Sequence, residues 1–273
     1  MQLRGLGVAL ITPFDRYGAL DLNGLERLVD FQIQSGVDYL VVLGTTAETP
    51  VLSKAEQDEV QAAIISANGN RVPLVLGVGS NDTRALCESV KKVDANRFDA
   101  ILSVTPYYNK PSQKGLKAHY QAIAQVTALP IILYNVPSRT GVNLLPSTVV
   151  ELASSDSAFI GIKEACGDAA QITDLLHQVP SGFEVVSGDD LTAIDSILMG
   201  ASGVISVIGQ ALPERTLNAV SAALSQNREL ATSIQQSLMP LIKLIFEEGN
   251  PVGVKALLAK QTELTSVVRL PLV

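Results

Sequence analysis

The chain has 273 residues, 47% of them hydrophobic and 17% charged, with a net charge of −7 from 27 acidic and 20 basic side chains. So apolar a polypeptide buries a large core and is no disordered tail, and its negative field repels a phosphate backbone, which excludes general nucleic-acid binding. Six Tyr, six Phe and no Trp are too few for a single-strand stacking platform, and two His and two Cys, none at metal-ligand spacing, exclude a His-rich metal cluster and a disulfide framework.

Met1 to Gly5 runs straight into a strand-like segment without the form of a signal peptide, and the longest stretch free of Asp, Glu, Lys and Arg, Ala118 to Ser138, is interrupted by Pro130 and Pro137. These features predict a cytoplasmic protein with no membrane segment. The first apolar run, Val8 to Thr12, predicts a strand, and Leu25, Leu28, Val29 and Ile33 then share one helical face that Gly36 closes as a C-cap. A second strand, Tyr39 to Leu43, precedes the capping box Ser53-Lys54-Ala55-Glu56 and a helix with Val60 and Ile64 on one side. Strands follow at Leu74–Val78, Ile101–Thr105 and Ile131–Val136, then a helix with Pro146 in its first turn before Val149, Val150 and Leu152. Three more strands, Phe159–Ile162, Glu184–Val186 and Gly203–Ile208, alternate with the stripes Ile172-Leu175-Leu176-Val179 and Leu191-Ile194-Ile197-Leu198.

These runs are almost continuously hydrophobic rather than alternating, the pattern of parallel strands covered on both faces. Eight βα units predict an α/β fold, a (β/α)8 TIM barrel over residues 1–209. An open doubly wound sheet fits less well, because no G-x-G-x-x-G follows the first strand. From Gln210 the strand signal stops, and residues 210–273 read as an all-helical appendage. One stripe runs through Leu217, Val220 and Leu224, a second through Leu230, Ile234, Leu238, Leu241 and Ile245 with a kink expected at Pro240, and a short helix runs from Val254 to Lys260.

Active sites of such barrels lie at the C-terminal ends of the strands. Those positions hold Thr12, Gly44-Thr45-Thr46, Gly79-Ser80-Asn81, Tyr107-Tyr108, Tyr134-Asn135, Lys163-Glu164, Gly188-Asp189-Asp190 and Ser206. Lys163 ends an otherwise apolar strand and reads in two ways. It is a strand-end lysine that reaches water and pairs with Glu164, or a Schiff-base nucleophile. For the second role a primary amine, ordinarily near pKa 10.4, must be desolvated, an effect worth up to about 3–5 units. The resulting imine is an electron sink, so carbon–carbon bond chemistry needs no cofactor and no metal. Tyr107, Tyr108 and Tyr134 read as rim packing one at a time; two strand-end tyrosines facing Thr45 and Lys163 across one mouth become proton carriers. Arg139 is a surface loop arginine or a bidentate grip on a substrate carboxylate. Asp189-Asp190 reads as the cap and first-turn acid of the next helix rather than a metal pair. Phosphorylated substrates are disfavoured, since Arg215 is the only basic residue from Glu184 to Arg215.

Seven motifs in order carry a resemblance: Gly44-Thr45-Thr46-Ala47-Glu48, Thr105 to Pro111 (TPYYNKP), Leu133 to Gly141 (LYNVPSRTG), Gly161-Ile162-Lys163-Glu164-Ala165, Ser187-Gly188-Asp189-Asp190, Gly203 to Val207 (GVISV) and Arg269-Leu270-Pro271. Over essentially its whole length the chain resembles the dihydrodipicolinate synthase branch of the pyruvate-dependent class I aldolase superfamily. The resemblance implies that Lys163 forms an imine with pyruvate and that Tyr134 donates and accepts protons beside it. It makes Thr45 and Tyr108 the rest of a relay, Tyr108 reaching into a neighbouring subunit's site. Thr46 and the backbone at Gly188 and Ile205 would hold the pyruvate carboxylate and the adduct, and Arg139 the carboxylate of L-aspartate-4-semialdehyde. The implied assembly is a homo-oligomer, at least a dimer, with the family's usual tetramer as the larger form. Two other readings stay open, a sister aldolase that cleaves a sugar acid and a non-catalytic keto-acid binder. Arg139 favours the first-named branch over the sister aldolases.

The chain departs from the family in three places. Ala47 replaces a usual glycine, so a negative φ is expected there. At the family's lysine feedback site Asn81 and Tyr107 match, whereas Lys54, Gln57 and Ala85 replace two histidines and a glutamate. The cationic Lys54 should repel the ammonium of lysine and make inhibition weak or absent. The tail from Lys255 to Val273 is shorter than usual.

Overall fold

A computed structural model describes all 273 residues. Its strands are β1 (Gly5–Ala9), β2 (Tyr39–Val42), β3 (Leu74–Val78), β4 (Ala100–Val104), β5 (Ile131–Asn135), β6 (Phe159–Glu164), β7 (Glu184–Ser187) and β8 (Gly203–Ser206). Every neighbouring pair is parallel, and β1 pairs with both β2 and β8, so the sheet closes into a barrel. The helices are α1 (Leu22–Gln34), α2 (Lys54–Asn68), α3 (Thr83–Val90), α4 (Gln113–Ala124), the one-turn α5 (Pro137–Thr140), α6 (Pro146–Ser155), α7 (Ala169–Gln178), α8 (Ala193–Met199), α9 (Pro213–Leu224), α10 (Arg228–Glu247) and α11 (Val252–Gln261).

The continuous apolar runs have a direct cause in the pleat, which sends successive side chains to opposite faces. Tyr39 and Val41 enter a core inside the barrel, while Leu40 and Val42 join the larger core between sheet and helices. Local signals hold at the helix ends. Ser53 and Glu56 form the reciprocal capping box, Pro146 opens α6, and Gly36 turns left-handed (φ +88°) just after α1. Pro240 lies inside α10.

Three strands differ from the sequence expectation by two residues or more: β6 runs on through Lys163 to Glu164, and β1 and β8 also shift. β1 begins at Gly5 and ends at Ala9, ahead of the expected Val8–Thr12. Gly7 hides the strand signal, yet a Cβ there would lie 2.2 Å from a Tyr39 ring carbon, so the barrel interior requires glycine. β8 stops at Ser206 because a carboxylate, described below, takes the next two backbone amides. α9 packs on β1 and β8 and closes the ring as the eighth helix. The stretch from residue 210 therefore opens with a barrel helix, and α10 and α11 are added to it. No helix is long and apolar enough to cross a membrane.

Candidate active site

The register of β5 and β6 sets Tyr134 beside Lys163, both on the inner face. Lys163 is 5% exposed, and its Nζ lies 4.6 Å from the centre of the Tyr134 ring. On β7's side, a Cβ on Gly188 would come within 2.8 Å of Lys163 Cε and 2.9 Å of Cγ, so the lysine stem occupies the space a side chain would fill. Glu164, one residue on, points to the opposite face. It is buried and accepts hydrogen bonds from Asn135 Nδ2 (2.9 Å), Gln171 Nε2 (2.9 Å) and the Cys166 amide (2.8 Å). Burial pushes its carboxyl above the usual carboxylate range against those bonds. The reading of Lys163 as a water-seeking partner of Glu164 is thereby overturned. Burial, with Glu164 nearby, also pushes the Cys166 thiol up to about 12.

The loop after β2 places the threonines. Thr45–Ala47 makes one 3-10 turn, and the hydroxyl of Thr12, three residues beyond β1, donates to the Ala47 carbonyl (2.7 Å). Ala47 stays right-handed as expected, and the left-handed step falls one residue later, on Glu48 (φ +55°). Thr46 is buried and accepts from Asn250 Nδ2 (2.9 Å). Thr45 is half-buried and lines a cavity of about 440 Å³ together with Tyr107, Tyr134, Arg139, Asn250 and Arg269. Arg139, on α5, is exposed; its Nη2 lies 3.5 Å from the Asn250 carbonyl, and it makes no ion pair with any carboxylate of the chain. Lys163 does not line this cavity, which meets it at Tyr134.

The capping role expected of Asp189 and Asp190 is corrected here, and the other strand-end residues take these places. Tyr108 does not face Thr45 and Lys163 across its own barrel mouth: it has a left-handed backbone (φ +71°) and is 89% exposed. The Gly188 amide donates to the Glu164 carbonyl (2.7 Å), so the barrel ladder uses it and only the carbonyl remains for a ligand. Ile205 sits in register with Gly7, its side chain in the inner core. Asp189 and Asp190 neither cap nor begin α8, which starts at Ala193. Asp190 is buried and accepts from Ser206 Oγ (2.6 Å) and from the Val207 (2.9 Å) and Ile208 (2.8 Å) amides, which ends β8. Burial raises its carboxyl and those three bonds pull it back. Asp189 accepts from the Thr192 hydroxyl (2.9 Å) and the Leu191 amide (3.2 Å).

Beside the mouth, Lys54, Gln57, Ala85 and Tyr107 line an adjoining groove of about 610 Å³ that shares Tyr107 with the cavity. Lys54 Nζ pairs with Asp58 at 2.9 Å, Gln57 Nε2 donates to the Leu52 carbonyl (3.1 Å), and the Asn81 carbonyl accepts from Asn109 Nδ2 (3.0 Å). No group of three or more His, Cys, Asp or Glu is arranged to hold a metal ion. The sequence reading missed Asn250, since nothing local in a Gly-Asn-Pro turn says that its amide folds back onto Thr46.

The Dihydrodipicolinate synthetase family model matches residues 2–273. The 4-hydroxy-tetrahydrodipicolinate synthase of Phocaeicola vulgatus is 47% identical over 272 residues, covering 100% of this chain and 92% of that protein. The crystal structure of dihydrodipicolinate synthase from Thermotoga maritima superposes with a TM-score of 0.97 at 38% identity, over 100% of this chain and 93% of that one. The chloride-inhibited dihydrodipicolinate synthase from Acinetobacter baumannii, complexed with pyruvate, superposes with a TM-score of 0.96 at 39% identity and the same coverage, 100% and 93%. An eight-stranded barrel with a lysine pinned beside a tyrosine, and likeness from end to end, lead to one conclusion: this chain belongs to the dihydrodipicolinate synthetase family.

Proposed function

We propose that the chain condenses pyruvate with L-aspartate-4-semialdehyde through a Schiff base on Lys163, giving 4-hydroxy-tetrahydrodipicolinate on the route to diaminopimelate and lysine. The observation that carries this reading is Lys163 itself, buried on an inward strand end, free of any carboxylate partner and set against Tyr134. Its amine adds to the pyruvate C2 carbonyl, and the carbonyl oxygen leaves as water to give the imine. Loss of a C3 proton gives an enamine, whose C3 attacks the aldehyde carbon of the semialdehyde; the new alkoxide takes up a proton. The substrate amine then adds to C2 and displaces Lys163, closing the ring.

Tyr134 is the phenol placed to carry these protons, with Thr45 on the same cavity wall. Tyr108, exposed on its own chain, completes the relay in a neighbouring subunit, so the working unit is at least a tight dimer. Thr46 donates to the pyruvate carboxylate, the carbonyls of Gly188 and Ile205 accept from the N–H and O–H groups of the adduct, and the unpaired Arg139 receives the semialdehyde carboxylate. The barrel supplies the nucleophile, and the chain that follows its last helix, α9, supplies Asn250 and Arg269 to the cavity wall.

Borohydride trapping tests the reading. Treatment with pyruvate and borohydride should add one pyruvate-derived group, localised to Lys163 by peptide mass. Lys163→Ala should give no adduct and lose at least about 10³-fold in kcat; an unmodified parent sinks the reading. Lysine feedback should be weak or absent, because Lys54 places a cation in the groove that would have to accept an ammonium. Strong inhibition by sub-millimolar L-lysine in a steady-state assay refutes that.

A further inference from the structure

The chain beyond Gly249 forms part of the cavity wall, and a buried ion pair fastens it to the loop that carries Thr45 and Thr46. Lys255, on α11, is fully buried. Its Nζ lies 2.5 Å from Glu48 Oε1, donates to the Val267 carbonyl (2.8 Å) and rests 4.1 Å from the centre of the Phe14 ring. The second Glu48 oxygen accepts the Arg269 amide (2.9 Å). The Arg269 guanidinium is held in turn by the Gly18 (2.9 Å) and Val51 (3.1 Å) carbonyls and by Glu56 (2.5 Å). One carboxylate thus touches α11 through Lys255 and the terminal segment through Arg269, and Asn250 adds its bond to Thr46.

Stability alone does not call for charges here. Two desolvated ions recover roughly what their burial costs, and an apolar pair of similar volume packs such a site at least as well. A charged pair adds a single permitted geometry. Glu48 follows the Thr45–Ala47 turn directly and holds a left-handed backbone that its Cβ disfavours, so its carboxylate pins the turn at the residue with most reason to relax. Burial lowers the Lys255 amine below the usual lysine range, and hydrogen bonding to Glu48 and its negative charge oppose that shift.

We propose that Glu48 and Lys255 are positioning residues, a clasp through which docking of the C-terminal segment sets the Thr45–Thr46 turn for proton transfer. This rests on the reading of Lys163 and Thr45 given above. The test compares the parent with the double variant E48Q/K255M, which removes both charges and strands neither, in three measurements. These are thermal melting, borohydride trapping of pyruvate, and kcat and KM for the condensation. The expected double variant melts cooperatively, traps pyruvate on Lys163 to the parent's extent and keeps KM for pyruvate within about threefold. Its kcat falls about 10- to 100-fold, the scale of a misplaced catalytic group. A double variant with kcat within twofold of the parent overturns the proposal, because the pair then only holds the tail. Lost trapping in the double variant alone also overturns it, since the defect would lie at the lysine. A parent that fails to trap shows instead that the Lys163 reading is wrong and takes the clasp with it. If the double variant does not fold, E48Q/K255Q, which also strands no charge and keeps a donor for the Val267 carbonyl, is judged by the same three measurements and outcomes.

Discussion

Lys163 owes its position to one missing side chain as much as to the residues around it. Its stem passes where a Gly188 Cβ would stand 2.8 Å from Cε, too close for any residue larger than glycine just after β7 unless the lysine moves. Overpacking of that kind costs about 1–3 kcal/mol in a tight interior, and here the flexible lysine gives way first. Gly188→Ala should therefore lower kcat at least about tenfold and slow pyruvate trapping in step, while the melting temperature drops by only a few degrees. Unchanged trapping kinetics would show that the stem has room to spare. Lys163 and Tyr134 were legible in the sequence, because a polar residue closing an apolar strand is conspicuous. The service of Gly188 to Lys163 was not, since it depends on a neighbouring strand 25 residues further along.

Among the elements, the join between β7 and β8 is the least obvious in the sequence. Two consecutive acids ahead of an apolar stripe look like a helix start, yet Asp190 crosses to β8 and holds Ser206, Val207 and Ile208. Gln235, from α10, donates to the Asp190 carbonyl (2.8 Å) and fastens the added helices to the same junction. Asp190→Asn keeps the shape but turns an NH2 group toward donors, leaving at least one buried amide or hydroxyl without an acceptor. That costs about 1–3 kcal/mol, so the urea midpoint should fall clearly while m stays the same. Activity should fall too, because the junction directly follows Ile205. A midpoint equal to the parent's would mean that the carboxylate is dispensable. The capping box of α2 was legible because its two partners lie three residues apart; the Asp190 junction spans 18 residues and a strand change.

At the level of the whole molecule, Tyr108 is the most exposed aromatic side chain, ahead of Tyr17. Tyr108 is 89% exposed on a left-handed backbone, although its neighbour Tyr107 lines the cavity. If Tyr108 works in a partner's site, light scattering should find no active monomer, and Tyr108→Phe should lower kcat without changing the oligomer. A fully active monomer would remove Tyr108 from the relay. The sequence by itself determined the barrel, its strand order and which side chains stand near the strand ends, because a parallel strand covered on both faces and a helix stripe are local periodicities, each written within a few residues. Only the tertiary structure decided which strand ends face inward together, that Asp190 ties strands rather than capping a helix, and that Asn250, Lys255 and Arg269 return to the loop after β2. Those are contacts between residues up to about two hundred positions apart, set by ring closure and by the pairing of buried charges, and no local pattern records them.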